Sequence, residues 1–114
     1  MALLASSGAT VCLCPRSNDY IGVGEAPVRR YLEAGAFLIL GTDSLASNDD
    51  LNIWHESEYF LQKNLVPPNA LLRMATVNGA SAAMLSGDIG SLETGKQFCY
   101  SAFPRDADTL FRLA

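Results

Sequence analysis

The apolar positions of the chain fall into short runs and helical stripes, and the sharpest is Phe37-Leu38-Ile39-Leu40, four large apolar side chains without polar alternation, stopped by Gly41. Such a run reads as a strand buried on both faces of a parallel sheet. A second strand-like run, Thr10 to Cys14, is closed by Pro15, which cannot donate to a sheet ladder. Between them, Ala26-Pro27 to Ala34 has Val28, Tyr31 and Leu32 at helical spacing, with proline in its first turn and Gly35 after its end. Strand, loop, helix and strand in that order predict a βαβ unit with parallel neighbouring strands and a right-handed crossover. The stretch from Arg16 to Gly24 is rich in turn formers and predicts a loop.

The flanking segments are predominantly helical. Met1 to Ser7 resembles the last turns of a helix ending at Gly8. After the second strand, Ser47-Asn48-Asp49-Asp50 supplies caps and first-turn acids for a helix through about Lys63, with Leu51, Trp54, Ser57, Glu58 and Leu61 on successive turns. Pro67-Pro68 breaks it, Asn69 to Val77 predicts a helix burying Leu71, Leu72 and Ala75, and a small-residue helix is expected from Ala80 to Leu85. From Gly87 the pattern changes. Gly90 to Lys96 is turn chemistry, Gln97 to Phe103 is strand-like and expected in a separate layer, Pro104 to Asp108 is a loop, and Thr109 to Leu113 a short helix.

The apolar end of the second strand runs directly into Thr42-Asp43-Ser44. In α/β folds reactive groups gather at the carboxyl ends of strands, which makes Asp43 a candidate for chemistry. The alternative is that these polar residues only begin a loop and cap the next helix. Composition narrows the field. Of the 114 residues 49% are apolar and 18% charged, enough apolar content for one domain with a core. The net charge of −4 is scattered, which disfavours nucleic acid and anionic bilayers as partners. Apolar segments are too short to span a membrane and no signal peptide is evident at the start, so a cytoplasmic chain is expected. Cys12, Cys14 and Cys99 are odd in number and lack C-x-x-C spacing, so reduced, buried structural thiols are expected. Gly22-Val23-Gly24 lacks the further glycine and downstream acid of a dinucleotide fingerprint.

Five blocks in order, Cys14-Pro15-Arg16-Ser17-Asn18, Gly22 to Val28, Leu40 to Asn48, Met74 to Ala80 and Gly90 to Lys96, resemble the amidohydrolase superfamily. Within it they are most similar to the cytosine-deaminase-like branch that includes the chlorohydrolases and adenosine-type deaminases. The resemblance implies an α/β fold, part of a (β/α)8 TIM barrel with a small β-sandwich. Val11 to Cys14 would be strand seven, Phe37 to Leu40 strand eight, Ala70 to Leu85 the helices after it, and Gln97 to Phe103 a returning sandwich strand. Residues 1–86 would thus belong to the barrel and 87–114 to the sandwich and tail. Where the family continues after Gly95-Lys96 with Ala-Asp and aliphatics, this chain has Gln97-Phe98-Cys99-Tyr100.

By the same resemblance the parent protein hydrolyses C–N bonds other than peptide bonds, deaminating a purine-like or other aminated heterocycle. Asp43 would bind the catalytic divalent metal (zinc, iron or manganese) and handle the proton of the attacking water. Ser17, Asn18 and Ser44 would contact the small-molecule substrate, although Ser17 and Asn18 could equally hold the loop by side-chain to backbone bonds. A barrel of this type takes about 250 residues, and the family draws further metal ligands from histidines on earlier strands. Here the sole histidine is His55, expected as a surface or interface imidazole on the following helix. The chain alone is therefore expected to retain no metal, to lack activity, and to self-associate through bare strand edges or swapped helices. A reading from a different class makes it a self-sufficient βαβ module that binds a small anion through Arg16 to Gly24 and Ser44 to Asn48.

Overall fold

The computed structural model describes residues 2–102. The elements are α1 (Ala2–Ser6), β1 (Thr10–Leu13), α2 (Pro15–Ile21), α3 (Val28–Glu33), β2 (Phe37–Leu40), α4 (Ile53–Gln62), α5 (Pro68–Ala75) and α6 (Val77–Ala82). The two strands pair in parallel, Thr10 opposite Phe37 through Leu13 opposite Leu40, as the βαβ reading expects. The fold is α/β.

Because side chains alternate across a strand, this register puts Leu13, Leu38 and Leu40 on one side and Thr10, Cys12, Phe37 and Ile39 on the other. The first side is covered by helices. Leu13, Leu38 and Leu40 join Val28, Phe60, Val66, Leu71 and Met74 in a single buried cluster, with α4, α5 and α6 against β2. The second side is not covered, and Phe37 is 38% exposed. The expected burial of the strand on both faces is therefore corrected to one face: within residues 2–102 all the packing helices lie on the same side. An Asn78 side-chain amide donates to the Leu38 carbonyl at 2.8 Å, fastening α6 to β2.

Several boundaries differ from those read in the sequence. Arg16 to Ile21 is helix rather than loop. Pro15 occupies the first turn, where its fixed φ and missing N–H cost nothing, and Gly22 ends the helix at φ +69° with its N–H bonded back to Asn18 and Asp19 carbonyls. Helix α4 begins at Ile53, capped by Asn52, whose side chain accepts the Trp54 N–H. Its buried residues are Glu56, Ser57 and Phe60, so of the expected stripe Ser57 is buried and Leu61 packs half-buried against the core, while Leu51 is exposed and Trp54 and Glu58 are only half-buried. In α5 the buried pair is Leu71 and Met74, while Leu72 is 60% exposed. The small-residue helix runs earlier than expected, over Val77–Ala82, and buries Ala80.

The expected strand from Gln97 is absent among the described residues, where 97–102 are irregular. Its last residue, Phe103, the loop 104–108 and the helix 109–113 lie outside the described residues. Gly90 sits at φ +95°, and a Cβ there would lie 2.6 Å from the Ala80 Cβ, so the turn is pressed against α6. The Gln97 N–H then closes back on the Asp88 carbonyl at 2.8 Å. The thiols also differ from expectation. Cys12 is exposed and Cys14 half-buried, because both follow the uncovered side of the sheet.

Candidate active site

Strand β2 ends at Leu40, and Gly41 extends the ladder by donating to the Leu13 carbonyl at 2.9 Å. Two residues later the backbone of Asp43 enters the left-handed region at φ +59°. Non-glycine residues hold that conformation when their surroundings fix it. Here both carboxylate oxygens are tied. Oδ1 accepts the Ser44 N–H at 2.8 Å, and Oδ2 accepts the Ser17 hydroxyl at 3.0 Å. Ser17 is fully buried in α2, and its Oγ lies 2.7 Å from that of Ser47. A hydroxyl has a single proton. With Ser17 donating to the carboxylate, Ser47 donates to Ser17, and the three form a chain leading from the interior to an exposed carboxylate.

The structure thus brings Ser17 and Ser44 to Asp43. Ser44 does so through its backbone, while its Oγ accepts the Ala46 N–H at 3.3 Å. Asn18 is not part of this group. It lines a small recess with Leu13, Pro15, Glu25, Ala26, Tyr59 and Phe60, and its side chain makes no hydrogen bond to Asp43.

Beneath the site lies Glu56, a fully buried carboxylate on α4 that the sequence reading passed over. Its Oε2 accepts the Arg16 N–H at 3.1 Å and its Oε1 accepts the Asn48 side-chain amide at 2.8 Å. The same Asn48 amide donates to the Thr42 carbonyl at 2.7 Å. The Arg16 guanidinium stands 3.6 Å from Glu56, 2.8 Å from Asp50 and 3.4 Å from Asp49. Its hydrogen bond, followed by the Asn52 N–H, holds the Asp50 carboxyl down at about 2, and the carboxylates in turn raise the Arg16 pKa. Asp50 also meets His55 Nδ1 at 2.7 Å on the partly exposed surface. With its guanidinium committed to three carboxylates, Arg16 is not the free cation that the anion-binding reading requires. A signal for Glu56 existed in the sequence: it shares a helical face with Ile53, Ser57 and Phe60, an ionisable group on an otherwise core-facing stripe.

Burial pushes the Cys14 thiol up to about 11, assisted by the neighbouring Cys12. No group of three or more His, Cys, Asp or Glu side chains that could hold a metal ion occurs among the described residues. Asp43 is not in such a group among those residues.

Residues 1–111 match the Amidohydrolase family. The chain belongs to that family. It is 42% identical over 105 residues to a 5-methylthioadenosine/S-adenosylhomocysteine deaminase of Teredinibacter turnerae, a match covering 85% of this chain and 24% of the relative. To the protein of the same name from Halobacterium salinarum it is 44% identical over 101 residues, covering 82% and 23%. Among solved structures, a zinc-bound adenosine deaminase from Xanthomonas campestris superposes with a TM-score of 0.76 at 34% identity, covering 84% of this chain and 24% of that one. The chain spans about a quarter of the length of the amidohydrolases it matches. No helix among the described residues is long and apolar enough to cross a membrane.

Proposed function

We propose that this sequence forms the C-terminal part of a metal-dependent amidohydrolase that deaminates a purine-like or other aminated heterocycle. In this reading residues 1–86 carry strands seven and eight of a (β/α)8 barrel with the helices that follow, and 87–114 belong to a small β-sandwich and tail. The observation that carries it is Asp43, an exposed carboxylate at the carboxyl end of a parallel strand, held by a buried serine, in a chain about 40% identical to proteins named as deaminases.

A divalent ion such as zinc, iron or manganese supplies polarisation of the attacking water when bound. Asp43 is the ligand this chain contributes, and the remaining donors come from elsewhere in the longer protein. Each Asp43 oxygen uses one acceptor position on Ser44 or Ser17 and keeps another free. The carboxylate can therefore take the proton of the attacking water and return it to the leaving amine, so that ammonia departs. Ser17 and Ser47 hold its orientation throughout. Ser17 acts on Asp43 rather than on substrate, Ser44 is the exposed candidate for substrate contact, and Asn18 faces a separate recess.

The test has two arms. Genomic DNA upstream of the Met1 codon is read in frame for a His-x-His pair, and the longer product is assayed for ammonia release from adenosine, methylthioadenosine and guanine with added zinc, iron or manganese. Turnover by the longer protein, lost by roughly 10³-fold or more in Asp43→Asn, supports the reading. The 114-residue chain alone is expected to release no ammonia above blank. Turnover by that chain, or a longer protein indifferent to Asp43→Asn, refutes it.

A further inference from the structure

We infer that Glu56 is the positioning residue of the Asp43 loop: its two oxygens anchor, one each, the two walls between which that carboxylate is held. One wall is the loop itself. The Asn48 amide has two protons, one spent on the carbonyl of Thr42, immediately before Asp43, and the other on Glu56 Oε1. Asn48 is thus a strut between the strained turn at φ +59° and the floor of the site. The other wall is the first turn of α2. Glu56 Oε2 receives the N–H of Arg16, the residue next to Ser17, whose hydroxyl meets Asp43 Oδ2. The Arg16 guanidinium at 3.6 Å offsets the buried charge. Both hydrogen bonds to Glu56 come from donors, so the position demands an acceptor on each oxygen, which a carboxylate provides and an amide does not.

The inference rests on the proposed role of Asp43 for its catalytic meaning only; the geometry it concerns is independent of metal and substrate. Glu56→Gln turns one acceptor into a donor facing another donor and must open one arm. Hydrogen exchange followed by NMR on the 114-residue chain tests this. In E56Q the amides of one arm, either Arg16 or Ser44 with Ser47, are expected to exchange at least tenfold faster, with those of α5 unchanged. Asn48→Ala cuts the loop arm alone, so Ser44 and Ser47 accelerate while Arg16 does not. Should E56Q fail to fold, N48A decides the matter. Unchanged rates at Ser44 and Ser47 in N48A, or a uniform acceleration that includes α5, overturn the inference by reducing Glu56 to general stability. In the longer protein E56Q is expected to lower kcat at least tenfold with KM within about twofold; a change in KM alone also overturns it. A longer protein without deaminase activity sinks the proposed function and leaves the exchange result standing.

Discussion

Ser17→Ala is the direct probe of the contact on which the site depends. Ser17 is fully buried, and its hydroxyl lies 3.0 Å from the Asp43 carboxylate and 2.7 Å from Ser47 Oγ. A hydrogen bond to a charged acceptor contributes about 1.5–3 kcal/mol, but Asp43 is exposed and water replaces part of the loss, leaving about 1 kcal/mol. Ser47, 9% exposed, is left with the Ser44 carbonyl at 3.4 Å, a long bond that recovers little, which adds about 1 kcal/mol for a poorly satisfied buried hydroxyl. The sum is about 2 kcal/mol, or a fall in Tm of roughly 8 °C for a domain of this size. Thermal melts followed by far-UV circular dichroism at fixed protein concentration measure it. Ser44→Ala is the control, since the exposed Ser44 side chain accepts only a 3.3 Å bond from Ala46, and it should cost about 0.5 kcal/mol or less. If S17A melts with the wild type, or S44A costs as much, the buried hydroxyl chain does not hold Asp43 and the reasoning fails.

Other consequences are equally open to measurement. Gly90→Ala places a methyl 2.6 Å from the Ala80 Cβ at φ +95° and should destabilise by roughly 2–4 kcal/mol in urea melts; a change below about 0.5 kcal/mol would remove the packed turn. The Asp50 carboxyl titrates near 2 when folded against an ordinary 3.8, so its contribution is complete above pH 4 and fades as pH falls through about 2; Asp50→Asn should flatten that acid limb, and an unchanged limb counts against the Arg16 pairing. With a pKa of about 11, roughly one Cys14 thiol in a thousand is ionised at pH 8, so iodoacetamide followed by peptide mass mapping should label Cys99 well before Cys14; equal labelling contradicts the burial. The isolated chain, 12.2 kDa as a monomer, should elute as larger species in light scattering because among the described residues neither strand has a second strand neighbour and one sheet face is uncovered; a stable monomer refutes this.

What was legible in the sequence was local. Phe37 to Leu40 reads as a strand from four side chains, Gly41 marks its end, and Asp43 follows within reach of any reader of strand ends. The parallel pairing followed from the intervening helix. Helix α2 was hidden because Pro15, Ser17, Asn18 and Asp19 are as common in loops as in the first turns of helices, and its first turn is met by Glu56, which accepts the Arg16 N–H from 40 positions away. The same contact explains the phase of α4. An apolar stripe placed on Leu51, Trp54 and Leu61 leaves Glu56 outside; the fold buries it because Arg16 and Asn48 are there to receive it. Periodicity alone contains no such information. The site was half visible for the same reason, since Ser47 and Asn48 read as helix caps until long-range partners assign their side chains to Ser17, Thr42 and Glu56.

One mismatch between pattern and fold is informative. A strand with one wet face normally alternates apolar and polar side chains, yet Phe37 and Ile39 are as apolar as the buried Leu38 and Leu40. Cys12, in register with Ile39, lies on the same uncovered side, and a Cβ added at Gly41 would lie 2.5 Å from its sulfur. Among the described residues the helices cover only the other face of the sheet. These side chains are therefore chosen for an environment that residues 2–102 do not provide, and the chain spans only about a quarter of the amidohydrolases it matches. The apolar run that first suggested a doubly covered strand thus supports the proposed barrel, in which further sheet would lie against Phe37 and Ile39 and the proposed companions of Asp43 would come from outside this segment.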